Sequence, residues 1–264
     1  MKDKPTILKL GGSVITVKKE QFTPNKLAIN RLVEEINRAD VHSLLLIHGG
    51  GSFGHPVAKK YGIKGGYKHP SQLIGVSKTH QAMASLNQLI IDAMIQRGIP
   101  SVTIQPSAFI TTDNGRIQQS GTKIIEKLLE LNIIPVLYGD VVLDSTLVFS
   151  ILSGDQLASM LAIKLNAHRI IMGIDVDGLF IRDPKIDPTA QLINHVSLKE
   201  LEDLQFKIGE AQVPDVTGGM LGKVIELMPA VSQGISTLIV NATKSGNIYK
   251  ALTGEQVVGT TIGV

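Results

Sequence analysis

The sequence contains no cysteine and no tryptophan, and aromatic residues make up 4% of it. Without cysteine, disulfide staples, thiolate catalysis and Cys-ligated zinc are excluded. So few aromatics leave little for a base-stacking platform, and Lys and Arg are scattered rather than gathered into a basic arm, so no nucleic-acid partner is expected. No apolar run approaches the roughly 20 residues of a membrane helix, so no membrane span is expected. The first apolar stretch is interrupted by Lys9 and Gly11-Gly12 and does not read as a secretory leader, so a cytoplasmic protein is expected. Acid is also absent locally: from Val41 to Ile91 there is no Asp or Glu, while the same stretch holds five of the seven histidines and Lys59, Lys60, Lys64, Lys68 and Lys78. That is either a solvated basic face or an electropositive lobe that receives an anion.

The chain has 264 residues, 43% of them hydrophobic, with a net charge of +3. This is enough for one large α/β domain or two closely joined lobes. Short apolar runs read as strands at Thr6–Leu10, Leu44–His48, Val102–Gln105, Ile134–Tyr138, Arg169–Gly173 and Thr237–Val240. Helical periodicity covers Leu27–Ile36, Ser71–Arg97, about 121–131, Leu157–Leu165 and Gly219–Ser232, and Val141–Leu152 reads as a hairpin turning near Asp144-Ser145. Continuous apolar strands alternating with helices predict a mainly parallel sheet covered on both faces. Ligands of such sheets bind at the carboxyl ends of the strands.

Glycine clusters follow the strands at those ends. His48-Gly49-Gly50-Gly51-Ser52-Phe53-Gly54-His55 is the most distinctive, with Lys9-Leu10-Gly11-Gly12-Ser13 upstream and Gly218-Gly219-Met220 downstream. Glycine lets the backbone approach a ligand closely and turn its N–H groups onto an anion. The run Gly49 to Gly54 matches G-x-G-x-x-G, but a dinucleotide site wants an acidic residue about 20 positions on, and that window is acid-free. Gly218–Lys223 is one residue short of a P-loop, and Val224 stands where the Mg²⁺-binding Ser or Thr would be. Both clusters still suit phosphate, with Lys223 one turn into a helix. Lys9 lies inside an apolar strand, where an ammonium needs a partner. Asp155, after Ser153-Gly154, is a candidate for that partner or simply a helix cap. Lys18 reads equally well as surface charge. His55 precedes Pro56, opens a segment rich in small residues and places a hydrogen-bond donor beside the anion loop. No ligand spacing for a tightly held transition metal occurs, so no protein metal ligands are expected.

Lys9 to Ser13, the His-Gly-Gly-Gly loop, Gly154-Asp155, Asp175-Val176-Asp177-Gly178 and Gly218-Gly219-Met220 together resemble the amino acid kinase superfamily in order and over nearly the whole chain. Gly51 to Pro56, Gln105-Pro106-Ser107-Ala108-Phe109 and Tyr138-Gly139-Asp140-Val141-Val142 resemble its isopentenyl phosphate kinases. The resemblance implies an open αβα sandwich spanning residues 1–264, with a substrate and dimer lobe over about 1–165 and a nucleotide lobe over about 166–264. It implies ATP and Mg²⁺, a homodimer, and phosphorylation of isopentenyl phosphate to isopentenyl diphosphate in an alternative mevalonate route.

On matching positions, the resemblance implies that Lys9, Lys18 and Lys223 line the transferring phosphoryl group, with Asp155 orienting the lysines. Gly11, Gly12, Ser13, Gly51, Gly218 and Gly219 would hold the ATP phosphates, with Asp175 and Asp183 near the nucleoside. Gly50, Gly54, His55 and Gly154 would hold the acceptor phosphate, and Met83, Ile90 and Ile151 are candidates for its apolar tail, each equally readable as core. Other readings remain open: a phosphonate or nucleoside monophosphate kinase of the same fold, or a non-catalytic nucleotide- or oxyanion-binding protein.

Overall fold

The computed structural model describes residues 4–181, 184, 186–201, 203 and 220–263. In chain order its elements are β1 (Thr6–Leu10), α1 (Gly12–Ile15), α2 (Lys26–Ala39), β2 (Leu44–His48), α3 (Gly51–Lys60), α4 (Ser71–Ile95) and β3 (Ser101–Thr103). There follow β4 (Ile110–Asp113), β5 (Arg116–Ser120), α5 (Lys123–Glu130), β6 (Ile134–Tyr138), β7 (Asp140–Asp144), β8 (Val148–Leu152) and α6 (Gly154–Lys164). The chain continues through β9 (Arg169–Ile174), β10 (Leu179–Phe180), β11 (Leu192–Ile193), β12 (His195–Val196), α7 (Met220–Val231), β13 (Ser236–Asn241), α8 (Asn247–Thr253) and β14 (Gly259–Ile262).

The central sheet runs in the order β12-β14-β13-β9-β1-β2-β6-β3. Every neighbouring pair is parallel except β13 with β14. The chain builds outward from β1 through β2 and β6, then crosses to the other side of β1 as β9. That reversal leaves a crevice beside the carboxyl end of β1, the position where open α/β sheets bind ligands.

Strand alternation sorts the two faces. Leu8, Leu10, Leu44, Leu46 and Val136 pack with residues of α1 to α4 and α8. Ile7, Leu45, Ile47, Leu137 and Met172 pack with residues of α5, α6 and α7. Lys9 shares the parity of Ile7, so the pleat sends it to the α6 and α7 face. The two apolar layers make the αβα sandwich that the strand–helix alternation predicted. A second sheet, β5-β4-β7-β8, stands beyond the end of β6. Gln156 ties it to α6, accepting from the Ile117 N–H at 3.0 Å and donating to the Gly115 carbonyl at 3.2 Å.

The expected elements are present with shifted ends. The helix expected from Leu157 begins at Gly154, capped by Ser153, whose hydroxyl accepts the Gln156 N–H at 3.0 Å. The strand expected over Val102–Gln105 covers Ser101–Thr103 and then gives way to a 3₁₀ turn at Pro106–Ala108. The β4–β5 hairpin, helix α8 and the antiparallel strand β14 had no clear signal in the sequence.

His55 and the segment it opens lie in α3, which continues through Pro56. Proline cannot donate to the carbonyl four residues back. Here that carbonyl, on Ser52, accepts the Phe22 N–H instead, at 3.2 Å. The Phe22 ring packs edge-on against Phe53, with centroids 5.8 Å apart. The helix therefore tolerates its proline because a neighbouring segment takes the orphaned acceptor.

One buried carboxylate joins α2 to α8 within the same helical layer. Glu35 on α2 accepts the N–H groups of Ile248 and Tyr249 at 3.0 and 3.1 Å, at the start of α8, and pairs with Arg31. Its negative charge also suits that helix end. Glu35→Ala leaves one buried and one partly buried N–H group without an acceptor. The expected cost is about 3 kcal/mol of folding stability, read as a shift in the urea midpoint.

Candidate active site

The turns after β1 and β2 are in backbone contact. The Gly49 N–H bonds the Leu10 carbonyl at 3.0 Å, and the Gly11 N–H bonds the Gly173 carbonyl at 2.8 Å. A Cβ on Gly12 would collide with the backbone of Gly51, and one on Gly49 would lie 2.8 Å from the Gly12 nitrogen. Gly51 adopts φ +48°, a left-handed value that disfavours side chains. Thr16 fastens the two turns together. Its hydroxyl donates to the Gly12 carbonyl at 2.7 Å and accepts the Ser52 N–H at 3.0 Å. Sequence reasoning missed Thr16, since a lone threonine after a short helix carries no signal.

Beneath the turns lies an ionic centre. Lys9 is almost completely buried, and its Nζ is 2.7 Å from Asp155 Oδ1. Lys223 Nζ reaches Asp155 Oδ2 at 3.4 Å. Lys9 has 4% of its side chain exposed and Lys223 37%, so one cation is structural in depth and the other faces the crevice. Because Ser153 caps α6, Asp155 is left free to take both lysines. Desolvation lowers the Lys9 pKa, Asp155 opposes that, and the charge of Lys223 adds to the lowering. Asp155 is raised by desolvation, but the two lysines outweigh it and hold it below the usual carboxylate range.

Gly154 sits directly on this centre. A Cβ there would lie 3.6 Å from Lys9 Cε and 3.5 Å from the His48 carbonyl. His55, in the second turn of α3, feels Lys223, Lys9 and Asp155. Desolvation and then the two lysines lower its pKa, which favours neutral imidazole, still a donor through one ring N–H. His48 is buried under α4 and its pKa falls to about 4, chiefly by desolvation. It stacks on Tyr138 with ring centroids 5.4 Å apart.

The structure brings Lys9, Gly11, Gly12, Ser13, Gly50, Gly51, Gly54, His55, Gly154, Asp155 and Lys223 to one end of the sheet, on or beside the two turns. Met83 joins them: its Sδ would be 2.9 and 2.6 Å from a Cβ on Gly50 or Gly54. Ile90 lies two helical turns further along α4, about 10 Å away, packed in the main core. Ile151 packs with Ile63, Val141 and Phe149 beside the hairpin. Lys18 is exposed on the turn after α1 and pairs with no described residue. Asp175 is half-buried just past the end of β9. Asp183, Gly218 and Gly219 lie outside the described residues. Among acids near the end of β9, Asp177 was passed over as a site residue, yet it holds Lys244 at 2.8 Å and Asn241 at 3.0 Å. Both partners are distant in sequence, so spacing could not reveal them.

A family model described as "Amino acid kinase family" matches residues 4–241. Isopentenyl phosphate kinase of Methanothermobacter thermautotrophicus is 43% identical over 97% of this chain and 98% of its own. The chain belongs to the isopentenyl phosphate kinases of the amino acid kinase family. A solved isopentenyl phosphate kinase superposes with a TM-score of 0.86 at 39% identity, covering 97% of this chain and 99% of that one. The T. acidophilum isopentenyl phosphate kinase, solved as a product complex, gives 0.79 at 29% identity, over 98% and 99%. The fold class of the isopentenyl phosphate kinases is therefore the one the motifs implied.

Two consequences are measurable. Gly12→Ala forces the turns apart by more than side-chain adjustment can absorb, and misplacement of this order lowers kcat/KM about 10²-fold while circular dichroism stays native. Since the Lys9 pKa is lowered, its ammonium is lost below the usual lysine range, so the alkaline limb of kcat falls earlier than for an exposed lysine. Asp155→Asn removes the group that raises the Lys9 pKa, and a pH–rate profile then shows that limb moved further toward neutral.

Proposed function

We propose that this chain transfers the γ-phosphoryl group of ATP to isopentenyl phosphate, forming isopentenyl diphosphate and ADP in an alternative mevalonate route. The observation that carries the reading is the state of Asp155. It is the carboxylate of the ionic centre, and both of its oxygens are committed to lysines. A hydroxyl acceptor would need a base to take its proton. A phosphate monoester near neutral pH already presents an anionic oxygen and needs none. Its difficulty is repulsion from the donor, and catalysis of such transfers rests on positioning and charge neutralisation.

The residues divide that work. The acceptor oxygen attacks the γ-phosphorus, and the bond to the bridging oxygen breaks with its electron pair leaving on ADP. Lys9, held by Asp155, and Lys223 stand where negative charge gathers. Lys18 sits on an exposed turn from which a flexible side chain would join them. Gly11, Gly12, Ser13 and Gly51 offer N–H groups to the donor phosphates, together with Gly218 and Gly219. Gly50, Gly54, His55 and Gly154 seat the acceptor phosphate, with Met83 beside them for the apolar tail. Ile90 and Ile151 are more remote candidates for that tail. By the family resemblance, Asp175 and Asp183 would serve the nucleoside.

No group of three or more His, Cys, Asp or Glu able to hold a metal occurs among the described residues. The chain's residues fit Mg²⁺ that arrives on the phosphates of ATP, where it would offset their charge, rather than Mg²⁺ in a carboxylate cage. We also propose, from the family, a homodimer made through the N-terminal lobe and a cytoplasmic setting. Among the described residues no helix is long and apolar enough to cross a membrane.

The decisive assay is ATP-dependent turnover of isopentenyl phosphate beside fosfomycin, UMP, carbamate and N-acetylglutamate. Mg²⁺-dependent conversion of isopentenyl phosphate alone is expected. Turnover of fosfomycin or UMP in its place would move the function to another acceptor of the same fold, and ATP binding without any turnover would make the chain a non-catalytic binder. His55→Ala removes a hydrogen bond to a charged acceptor and should lower kcat/KM by about 10- to 150-fold. An unchanged value would rule out its role at the acceptor phosphate.

A further inference from the structure

The motif Tyr138-Gly139-Asp140 and helix α4 meet at a pair that the phosphoryl transfer does not use. Asp140 opens β7 immediately after Gly139, and its side chain is fully shielded from solvent. His80 Nδ1 lies 3.0 Å from Asp140 Oδ1 and 2.9 Å from Oδ2, and Oδ1 also accepts the Val141 N–H at 2.8 Å. A carboxylate buried this deeply needs a cationic or hydrogen-bonding partner. His80, with 30% of its side chain exposed, is the side chain that supplies it among the described residues.

The pair joins two walls of the seat assigned above to the acceptor phosphate. On one side, His80 and Met83 are three residues apart and so share a face of α4. Met83 fills the space against Gly50 and Gly54. On the other side, the Gly139 N–H holds the His48 carbonyl at 3.1 Å. A Cβ on Gly139 would lie 3.2 Å from the Gly154 nitrogen and 3.1 Å from the Leu152 carbonyl. The bend carrying Asp140 is therefore packed against Gly154, and the helix carrying His80 is packed against the glycine loop.

We propose that His80 and Asp140 are a positioning pair that fixes the distance between the glycine loop and Gly154, and so sets the affinity for the acceptor phosphate. The proposal rests on the acceptor seat described under Proposed function. Neither residue makes or breaks a bond in the reaction, and neither touches the Lys9–Asp155–Lys223 centre.

The geometry has a pH consequence. The groups that act on His80 are Asp140 from β7 and Gln105 from the turn after β3. The hydrogen bond to Asp140 raises the His80 pKa, desolvation opposes it, and the Asp140 charge and Gln105 add to the rise. The imidazolium thus persists to higher pH than an ordinary histidine, and the clasp loosens as pH climbs through its pKa. His55, shifted the opposite way, titrates at lower pH.

The test compares wild type, His80→Ala, His80→Arg and Asp140→Asn for kcat, acceptor KM and ATP KM across about pH 6 to 9. His80→Ala is expected to raise acceptor KM about 10- to 100-fold, with kcat and ATP KM within a few-fold. His80→Arg, which keeps the charge, is expected to restore the neutral-pH value and abolish its rise at alkaline pH. Asp140→Asn should behave as His80→Ala does. The proposal is overturned by unchanged acceptor KM in His80→Ala, by a joint fall in kcat and both affinities, or by an alkaline rise that survives in His80→Arg. If the wild type does not turn over isopentenyl phosphate, the functional reading fails first. Calorimetric binding of inorganic phosphate to the same proteins then decides the pair: weaker binding to His80→Ala than to wild type and His80→Arg supports it, and equal binding overturns it.

Discussion

Two turns of glycine touch backbone to backbone, and the rest of the site takes its position from that contact. Gly12 lies against Gly51 with no room for a side chain on either, and Thr16 spans the junction by hydrogen bonds in both directions. The turns end β1 and β2, adjacent strands at the middle of the sheet. Their closeness is possible only because the strands are parallel and in register, so that Leu10 and His48 finish level with one another. An anion bound between them, as proposed, would meet rigid backbone dipoles, which need no reorganisation when charge develops.

The electrostatic centre follows from the pleat. Alternation along β1 sends Ile7 and Lys9 to one face and Leu8 and Leu10 to the other. Lys9 therefore emerges toward α6 and α7, whose residues Asp155 and Lys223 complete the centre. An ammonium in that position is costly alone, and Asp155 makes it tolerable. The cap on α6 matters for the same reason. With Ser153 occupying the helix N–H, the carboxylate of Asp155 is committed to the lysines rather than to its own backbone.

The two helices around the glycine loop show how a proline in one and a partly exposed histidine in the other can still be well held. Pro56 leaves a carbonyl on Ser52 that the Phe22 segment takes up. His80 meets a fully buried carboxylate from a different sheet. In both cases a local irregularity is matched by a group that is distant in sequence, which gives α3 and α4 fixed positions around the glycine loop.

Much of this was legible from the chain alone. Strand–helix alternation gave the sandwich, because continuous apolar strands have no soluble alternative to burial on both faces. Glycines placed directly after strands marked the two turns that meet backbone to backbone, and a lysine inside an apolar strand announced a buried ionic partner. These features are local: each is written in a few consecutive residues whose chemistry admits few solutions. What only the tertiary structure decided is non-local. It settled that Asp155 serves Lys9 while Ser153 does the capping, that Ile90 belongs to the core two turns from Met83, that Thr16 locks the loops, and that His80 finds Asp140. Partners separated by tens of residues meet only once the sheet order and helix faces are set. No spacing rule encodes those encounters, because they are fixed by packing in three dimensions rather than by neighbours along the chain.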